Sequence, residues 1–352
     1  MTLKSDSRRA MKHDVLIILW NRSENRLRAL WRLLVTIVLG LFGPAVLKVL
    51  ASFVIAFSLV LAAQIPLGAL GNGRQLLQAI NTTFIRFPLL IGIRSLIVLL
   101  LVGLAIVLIA RFIDRRPWRD YGFHFDAAWW RDLGFGLFLG LALMGVIFRV
   151  EYSLGWASVS GLMENGQPNL PTWQLLVDGL FFYVLVGVEE EWLFRGYLIR
   201  NLAEGLHLPR VGPKAAVLLS YLLASLFFAL LHANNANATL VSLLDLALFG
   251  MFVGLGFVLT GELAIPIGIH IAWNFAQGYV FGFPVSGTDE HLSLIATQQS
   301  GPTLWTGGAF GPEGGLVGVL ATLLGMVLVY GWVRWTRRRV SAQAKLAQYS
   351  PS

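Results

Sequence analysis

Long apolar segments, separated by short polar or basic connections, dominate the 352-residue chain. A helix needs about 20 predominantly apolar residues to cross the hydrocarbon core of a bilayer. Eight segments approach or exceed this length: Leu30–Ala63, Leu89–Ala110, Leu133–Val150, a segment that starts near Trp173, Ala215–His232, Leu240–Leu259, Ala264–Phe283 and Leu316–Trp335. The pattern therefore predicts an all-α fold, a polytopic integral membrane helix bundle with about eight transmembrane helices.

Composition agrees with a membrane protein. Hydrophobic residues make up 56% of the chain and charged residues 13%, whereas soluble domains average about 25% charged residues. The absence of cysteine excludes disulfides, thiolate metal sites and cysteine nucleophiles. The net charge of +8 lies in basic clusters between apolar segments, which indicates membrane topology and no nucleic-acid partner.

The basic clusters predict the orientation of the chain. Lys- and Arg-rich connections usually lie in the cytoplasm. With eight crossings, the basic regions fall on one side: the N-terminal arm, the connections within 111–131 and 200–214, and the tail from 334 to 339. Phe283–Pro312, on the other side, contains no Lys or Arg. We therefore expect both termini to be cytoplasmic.

Three consecutive glutamates, Glu189, Glu190 and Glu191, interrupt the apolar fourth segment. Ionisable groups inside a membrane span are costly and therefore indicate a functional site. Glu191 and Arg195 are four residues apart, so a helix places them on one face, where they can pair. Glu190 points about 100° away from Glu191, which leaves one acid available for chemistry while its neighbour is held by the arginine.

Two histidines can be placed beside this cluster. A break at Pro209–Pro213 predicts a turn between the fourth and fifth segments. Glu190 and His232 both lie about 30 Å from this turn along their helices, so an antiparallel hairpin brings them to equal depth. His270 and Asn274 share one face of the seventh segment, about 10–15 Å from its cytoplasmic end. The site is thus expected within the membrane, nearer the cytoplasm.

Three short motifs in the second half of the chain resemble those of the CPBP intramembrane proteases. The family includes the CAAX-processing (Ras-converting) endopeptidases and bacterial relatives linked to bacteriocin self-immunity. The motifs are Glu190-Glu191-x-x-x-Arg195-Gly196, Phe228-x-x-x-His232 and His270-x-x-x-Asn274. Each motif alone is weakly specific, but all three in this order in a multispan protein are strongly specific. The resemblance covers roughly 173–330.

The resemblance implies a role for each motif residue. Glu190 would be the general base that activates a water molecule, and His232 would help to position that water. Glu191 and Arg195 would order the helix that carries Glu190. His270 and Asn274 would donate hydrogen bonds to the oxyanion that develops on the scissile carbonyl.

The resemblance leaves the question of a metal open. Glu190, Glu191, His232 and His270 could supply a zinc ligand set, but no helix carries the His-Glu-x-x-His arrangement of two histidines. A glutamate-activated water without a cofactor is favoured over bound zinc.

Gly307–Gly315 is interpreted as a loop that enters the last span, because no lysine follows it to make a phosphate loop.

The resemblance also suggests how the chain is organised. Residues 1–28 form a basic cytoplasmic arm, 29–172 the first three spans, 173–335 a catalytic transmembrane domain and 336–352 a basic cytoplasmic tail. We expect a bacterial plasma membrane protein that acts on a peptide or membrane-protein substrate, as in CAAX-type or bacteriocin-related processing; the oligomeric state is not predicted. Two alternatives are a transporter or channel with proton- or cation-binding glutamates, and a catalytically idle immunity or scaffold relative.

Overall fold

The computed structural model describes residues 19–61, 89–165, 171–289 and 292–349, with isolated positions between 62 and 88. Most of the predicted basic arm and the end of the C-terminal tail lie outside the described residues. Helices and strands follow in this order: β1 Trp20–Asn21, β2 Arg26–Leu27, α1 Ala29–Leu61, α2 Leu89–Leu108, α3 Ala127–Ser153, β3 Ala157–Asn165, α4 Thr172–Glu191, α5 Arg200–Leu206, α6 Pro213–Leu231, α7 Leu240–Thr260, α8 Ala264–Phe275, β4 Leu292–Gln299, α9 Thr303–Thr306 and α10 Leu316–Arg337.

In the described part of the chain, three π-helical segments extend these helices: Ile109–Asp114 after α2, Trp192–Ile199 between α4 and α5, and Ala276–Val280 after α8. As a result, Thr172–Leu206 is one continuous helix of 35 residues. Short 3₁₀ turns occur at Trp118–Tyr121, Gly308–Phe310, Pro312–Gly314 and Ala344–Ala347.

The predicted all-α membrane bundle is confirmed. Within the described ranges, six helices are long and apolar enough to cross a membrane: Gly92–Asp114, Ala127–Ser153, Thr172–Leu206, Pro213–Leu231, Leu240–Thr260 and Leu316–Arg337. Helices also occupy the first and seventh predicted segments, as α1 and as α8, which has 12 residues followed by five of π-helix. The exact number of eight spans stays a prediction.

A small antiparallel sheet is an addition to the predicted fold. Strands β3 and β4 pair from Ala157 opposite Gln299 to Asn165 opposite Leu292. The strands lie at the end of the bundle opposite the basic connections. The apolar pattern did not predict them, because the hydrogen-bond partner of each strand is far away in sequence.

Glycines allow α3 to pack against α8 at backbone distance. A Cβ atom on Gly136 would lie 2.6 Å from the carbonyl oxygen of Ile265, and one on Gly140 would lie 2.6 Å from that of Ile269. From the other side, a Cβ on Gly268 would lie 2.5 Å from the Leu133 carbonyl. Small residues permit such close helix packing in membranes. The contact sets the position of α8, which carries two of the predicted site residues.

A buried ion cluster anchors the helix ends near the basic connections. Glu204, at the end of the helix that carries the glutamates, accepts contacts from Arg116 at 2.6 Å and from Arg26 and Arg32 at 2.9 Å each. Asp114 adds a second carboxylate to the cluster, 3.4 Å from Arg116. Neighbouring opposite charges offset much of the cost of burying these groups. The cluster therefore ties α1 and the end of α2 to the base of the helix α4–α5.

Candidate active site

The glutamate cluster lies at a change of helix type. α4 ends at Glu191, and the π-helix Trp192–Ile199 follows directly. π-Helical segments inside α-helices are rare and occur frequently at functional sites. Every residue of this π-helix is buried, so the segment that directly follows the glutamates is packed inside the bundle.

Glu191 is fully buried and engaged by two cationic or potentially cationic side chains. Its Oε1 atom accepts a hydrogen bond of 2.9 Å from Nη1 of Arg195 and lies 2.6 Å from Nδ1 of His270. Arg195 also donates through Nη2 to the Gly250 carbonyl, at 2.8 Å. This ion pair links α4 to α7 and α8, so Glu191 is part of the internal scaffold of the site.

Glu190, in contrast to Glu191, is partly exposed. Its side chain is 29% exposed, and its Oε2 atom lies 3.8 Å from Nε2 of His270. The two acids therefore contact opposite edges of one imidazole ring. The rotation of about 100° between neighbouring helical residues explains why one carboxylate is buried in an ion pair and the other is accessible.

His270 is held by its contact with Glu191. Nδ1 faces a carboxylate oxygen, which can only accept, so Nδ1 carries a proton. Nε2 faces Glu190, and Nε2 can donate a hydrogen bond only when the ring is doubly protonated.

His232 occupies the C-terminal cap of α6. Its Nδ1 atom donates to the carbonyl of Phe228 at 2.8 Å, which directs the other ring nitrogen, Nε2, away from the helix. The Phe228 ring packs against the imidazole, with 4.7 Å between the ring centroids.

These side chains line one cavity of about 290 Å³. Its polar lining comes from both the helices and the loops: Glu190, His232, Asn235, His270, Asn274, Ser286, Thr288 and Glu313. Its apolar lining comes from α4, α6, α7 and a loop residue: Phe182, Tyr183, Val186, Phe228, Leu246, Phe249 and Val285. The structure thus places Glu190, His232, His270 and Asn274 around one space, and it places Glu191 and Arg195 behind the wall of that space.

A second recess, of about 250 Å³, lies between α4 and the end of α6. Glu190, His232 and Asn235 line both spaces, and Glu189 lines the recess. Phe181 and Leu230, on the outer faces of the two helices, are 38% and 63% exposed. The recess therefore adjoins the cavity, and it lies between two helices whose outer faces carry exposed apolar side chains.

Sequence reasoning missed Glu313 and Ser286. Glu313 is 4% exposed, and its Oε1 atom accepts hydrogen bonds from the Ser286 backbone N–H at 2.5 Å and from Ser286 Oγ at 2.7 Å. The only sequence signal was an acid within the glycine-rich stretch Gly307–Gly315, which was interpreted as a connecting loop. That segment instead contributes a carboxyl group to the cavity.

Several of the possible metal ligands of the site are engaged by other groups. Across the described residues, no group of three or more His, Asp or Glu side chains is arranged to hold one. Oε1 of Glu191 is occupied by Arg195 and His270, and Nδ1 of His232 is occupied by a backbone carbonyl. Glu191 and the Nδ1 atoms of His232 and His270 are thus directed to other partners, whereas Glu190 faces the cavity.

Comparison with protein families finds a match to the family described as type II CAAX prenyl endopeptidase Rce1-like, over residues 172–276. The matched segment begins with α4 and ends just after α8, and it contains all three motifs. No curated protein and no solved structure matches the chain. The match supports an intramembrane endopeptidase of the CAAX type in general terms, embedded in the membrane and acting on peptides.

Proposed function

We propose that this chain, which over residues 172–276 belongs with the CPBP, or CAAX-type, intramembrane endopeptidases, hydrolyses a peptide bond by means of a water molecule activated by Glu190. One observation carries the proposal. Of the two adjacent carboxylates on this helix, that of Glu191 is buried and neutralised by Arg195, whereas that of Glu190 is exposed to the cavity. A partly desolvated carboxylate next to polar donors is suited to general-base chemistry.

The proposed reaction uses the side chains around the cavity. Water adds to the scissile carbonyl carbon while one of its protons passes to Glu190. The C–N bond then breaks as Glu190 returns that proton to the leaving nitrogen. His232, with Nε2 directed away from α6, positions the water, and no step passes through a metal ion.

The oxyanion is stabilised by donors on α8. Asn274 offers an amide N–H group, and His270 offers Nε2–H in its doubly protonated form. Glu191 and Arg195 act behind them, because Glu191 holds the His270 ring through Nδ1. Preorganised donors of this kind are usually the largest single contribution to acyl-transfer catalysis.

Substrate access is proposed along the recess between α4 and the end of α6. Its apolar flank would admit a membrane-associated peptide directly from the bilayer. His270 lies six residues after the start of α8, which supports cleavage near the cytoplasmic face if the basic connections are cytoplasmic. CAAX-type or bacteriocin-related processing, eight spans and cytoplasmic termini belong to this proposal.

Glu190→Gln is the decisive variant. Loss of the base should lower turnover by about 10²–10⁴-fold while the unfolding temperature stays unchanged. The assay is cleavage of internally quenched peptides, one ending in a farnesylated CAAX sequence and one unprenylated, by the protein in proteoliposomes. Glu151→Gln is the matched control, because Glu151 is buried on α3 and bonded to Gln299, outside the cavity.

The outcomes separate the candidate functions. An idle relative would be indifferent to Glu190→Gln, and a transporter would lose proton-coupled flux without any cleavage by the wild type. Mapping of new peptide termini in cells with wild type or Glu190→Gln would identify the natural substrate. A wild-type protein that cleaves no reporter and generates no new termini would refute the proposed function.

A further inference from the structure

Glu313 is a buried carboxyl group in the wall of the cavity, and the reaction above gives it no role. It belongs to the 3₁₀ turn Pro312–Gly314, just before α10, and is 4% exposed. Burial raises its pKa above the usual range of a carboxyl group, although hydrogen bonds from Ser286, the charge of the nearby His232 and a hydrogen bond from Gln277 lower it in part. The other acidic and imidazole groups that line the cavity are Glu190, His232 and His270. Such a group in a cleft is a candidate for a functional role.

The contact between Glu313 and Ser286 is built into the loop. Ser286 has a φ of +47°, in the left-handed region that non-glycine residues rarely adopt. This conformation directs both its N–H and its Oγ to the same carboxylate oxygen of Glu313. A backbone in a sparsely populated region persists only where the surroundings hold it there.

A chain of hydrogen bonds links this loop to His232. Nδ2 of Asn235 donates to the Ser286 carbonyl at 3.0 Å, and the Asn235 N–H donates to the His232 carbonyl at 3.0 Å. Glu313 is therefore connected, through Ser286 and Asn235, to the residue that caps α6.

Two glycines bring the three loops together. A Cβ atom on Gly287 would lie 1.8 Å from the Ala236 carbonyl oxygen, and one on Gly311 would lie 2.1 Å from the Pro284 carbonyl oxygen. Their φ angles are +86° and +109°, which favour glycine. The turn after His232, the loop around Ser286 and the loop before α10 thus interlock at backbone distance.

We infer that Glu313 is a positioning residue that acts through His232. By fixing Ser286, it holds the turn after α6 so that Nε2 of His232 faces the cavity where water and Glu190 meet. The inference rests on the proposed function and extends it with a residue outside the matched segment 172–276. Only the acceptor oxygen is needed for this role, so an amide should replace the acid.

The test compares Glu313→Ala, Glu313→Gln and Ser286→Ala with Glu151→Ala as the control for loss of a buried glutamate. Cleavage of the farnesylated reporter is measured in proteoliposomes as separate kcat and KM values. We expect Glu313→Ala to lower kcat by about tenfold or more with KM little changed, because small misplacements of reacting groups are costly. Ser286→Ala should lower kcat less, because the backbone N–H remains, and Glu313→Gln should retain most of it.

A second readout is independent of turnover. In protein with ¹⁵N-labelled histidine, the ring signals of His232, assigned with His232→Ala, should shift or broaden in Glu313→Ala and be restored in Glu313→Gln. The His232 signals should not change in Glu151→Ala.

Three outcomes would overturn the inference. First, the kcat of Glu313→Ala could match that of Glu151→Ala. Second, the loss could fall on KM alone, which would indicate that Glu313 contacts the substrate. Third, Glu313→Gln could be as impaired as Glu313→Ala, which would indicate a role for the charge of Glu313. Glu190→Gln is measured in parallel: if it is active, the proposed function fails, and if it is inactive while Glu313→Ala is normal, only the inference fails.

Discussion

Adding one methyl group at Gly140 should displace the helix that carries His270 and Asn274. In Gly140→Ala, the new Cβ would lie 2.6 Å from the Ile269 carbonyl oxygen and 2.9 Å from the Trp273 backbone nitrogen. Ordinary van der Waals contacts begin near 3.4 Å, so α3 and α8 must separate by about 0.8 Å. Both contacts are to backbone atoms, and no flexible side chain can absorb the strain.

This separation has two measurable consequences. Overpacking of a well-packed interface costs about 1–3 kcal/mol, so the unfolding temperature in detergent should fall. A displacement approaching 1 Å at catalytic groups can cost about 10²-fold in rate, so cleavage of the farnesylated reporter should fall more steeply than stability.

Gly134→Ala is the matched control, because the same helix carries Gly134 and a Cβ there would meet nothing within 4 Å. Alanine is about 0.8–1.0 kcal/mol more favourable than glycine inside a helix, so this variant should be slightly stabilised and fully active. If Gly140→Ala were as stable and active as Gly134→Ala, the reasoning that α3 positions α8 would be wrong.

Four further predictions follow from the contacts described. Arg195→Met should destabilise the protein by about 3–5 kcal/mol, as measured by thermal unfolding, because it breaks a buried ion pair and leaves the charge of Glu191 with His270 as its remaining contact. Glu204→Gln should lower the unfolding temperature and increase protease sensitivity near Arg26, because three buried arginines lose their shared carboxylate. EDTA should leave reporter cleavage unchanged, since the cavity side chains do not form a metal ligand set; loss of activity with recovery on adding zinc would contradict this. Because the pKa of Glu313 is raised above 4.5 in the folded protein, the stability of wild type relative to Glu313→Gln should be greatest below about pH 4.5 and should fall as the pH rises. A difference in unfolding temperature that stays constant across pH 4–8 would refute the assignment.

The helices illustrate how far periodicity and length could predict the fold. The segment Leu240–Leu259 is observed as the helix Leu240–Thr260, and Leu316–Trp335 as Leu316–Arg337. A continuous apolar run has few alternatives in lipid, where backbone groups must be satisfied within the segment. The strand pair β3–β4 could not be predicted in this way, because the hydrogen bonds of each strand come from a segment more than a hundred residues away.

The site shows the same division. Spacing along one helix predicts that Glu191 and Arg195 can pair, and the structure has this contact at 2.9 Å. The contact between Glu191 and His270 crosses from α4 to α8, and no spacing rule relates those positions. Glu313 was missed because its loop has no periodic pattern and its significance comes from Ser286, Asn235 and His232, which meet it only in three dimensions.

For this protein, the order of residues alone determined that the chain is a membrane bundle and which short motifs carry acids and imidazoles, because hydrophobic length and helical spacing are local properties. Only the packing of distant segments decided which glutamate is neutralised, which partner each imidazole contacts and which loop residues line the cavity. These outcomes depend on distances and burial that arise only when helices such as α3 and α8 pack closely at their glycines. The environment of a carboxylate, rather than its position in the chain, sets its chemical reactivity.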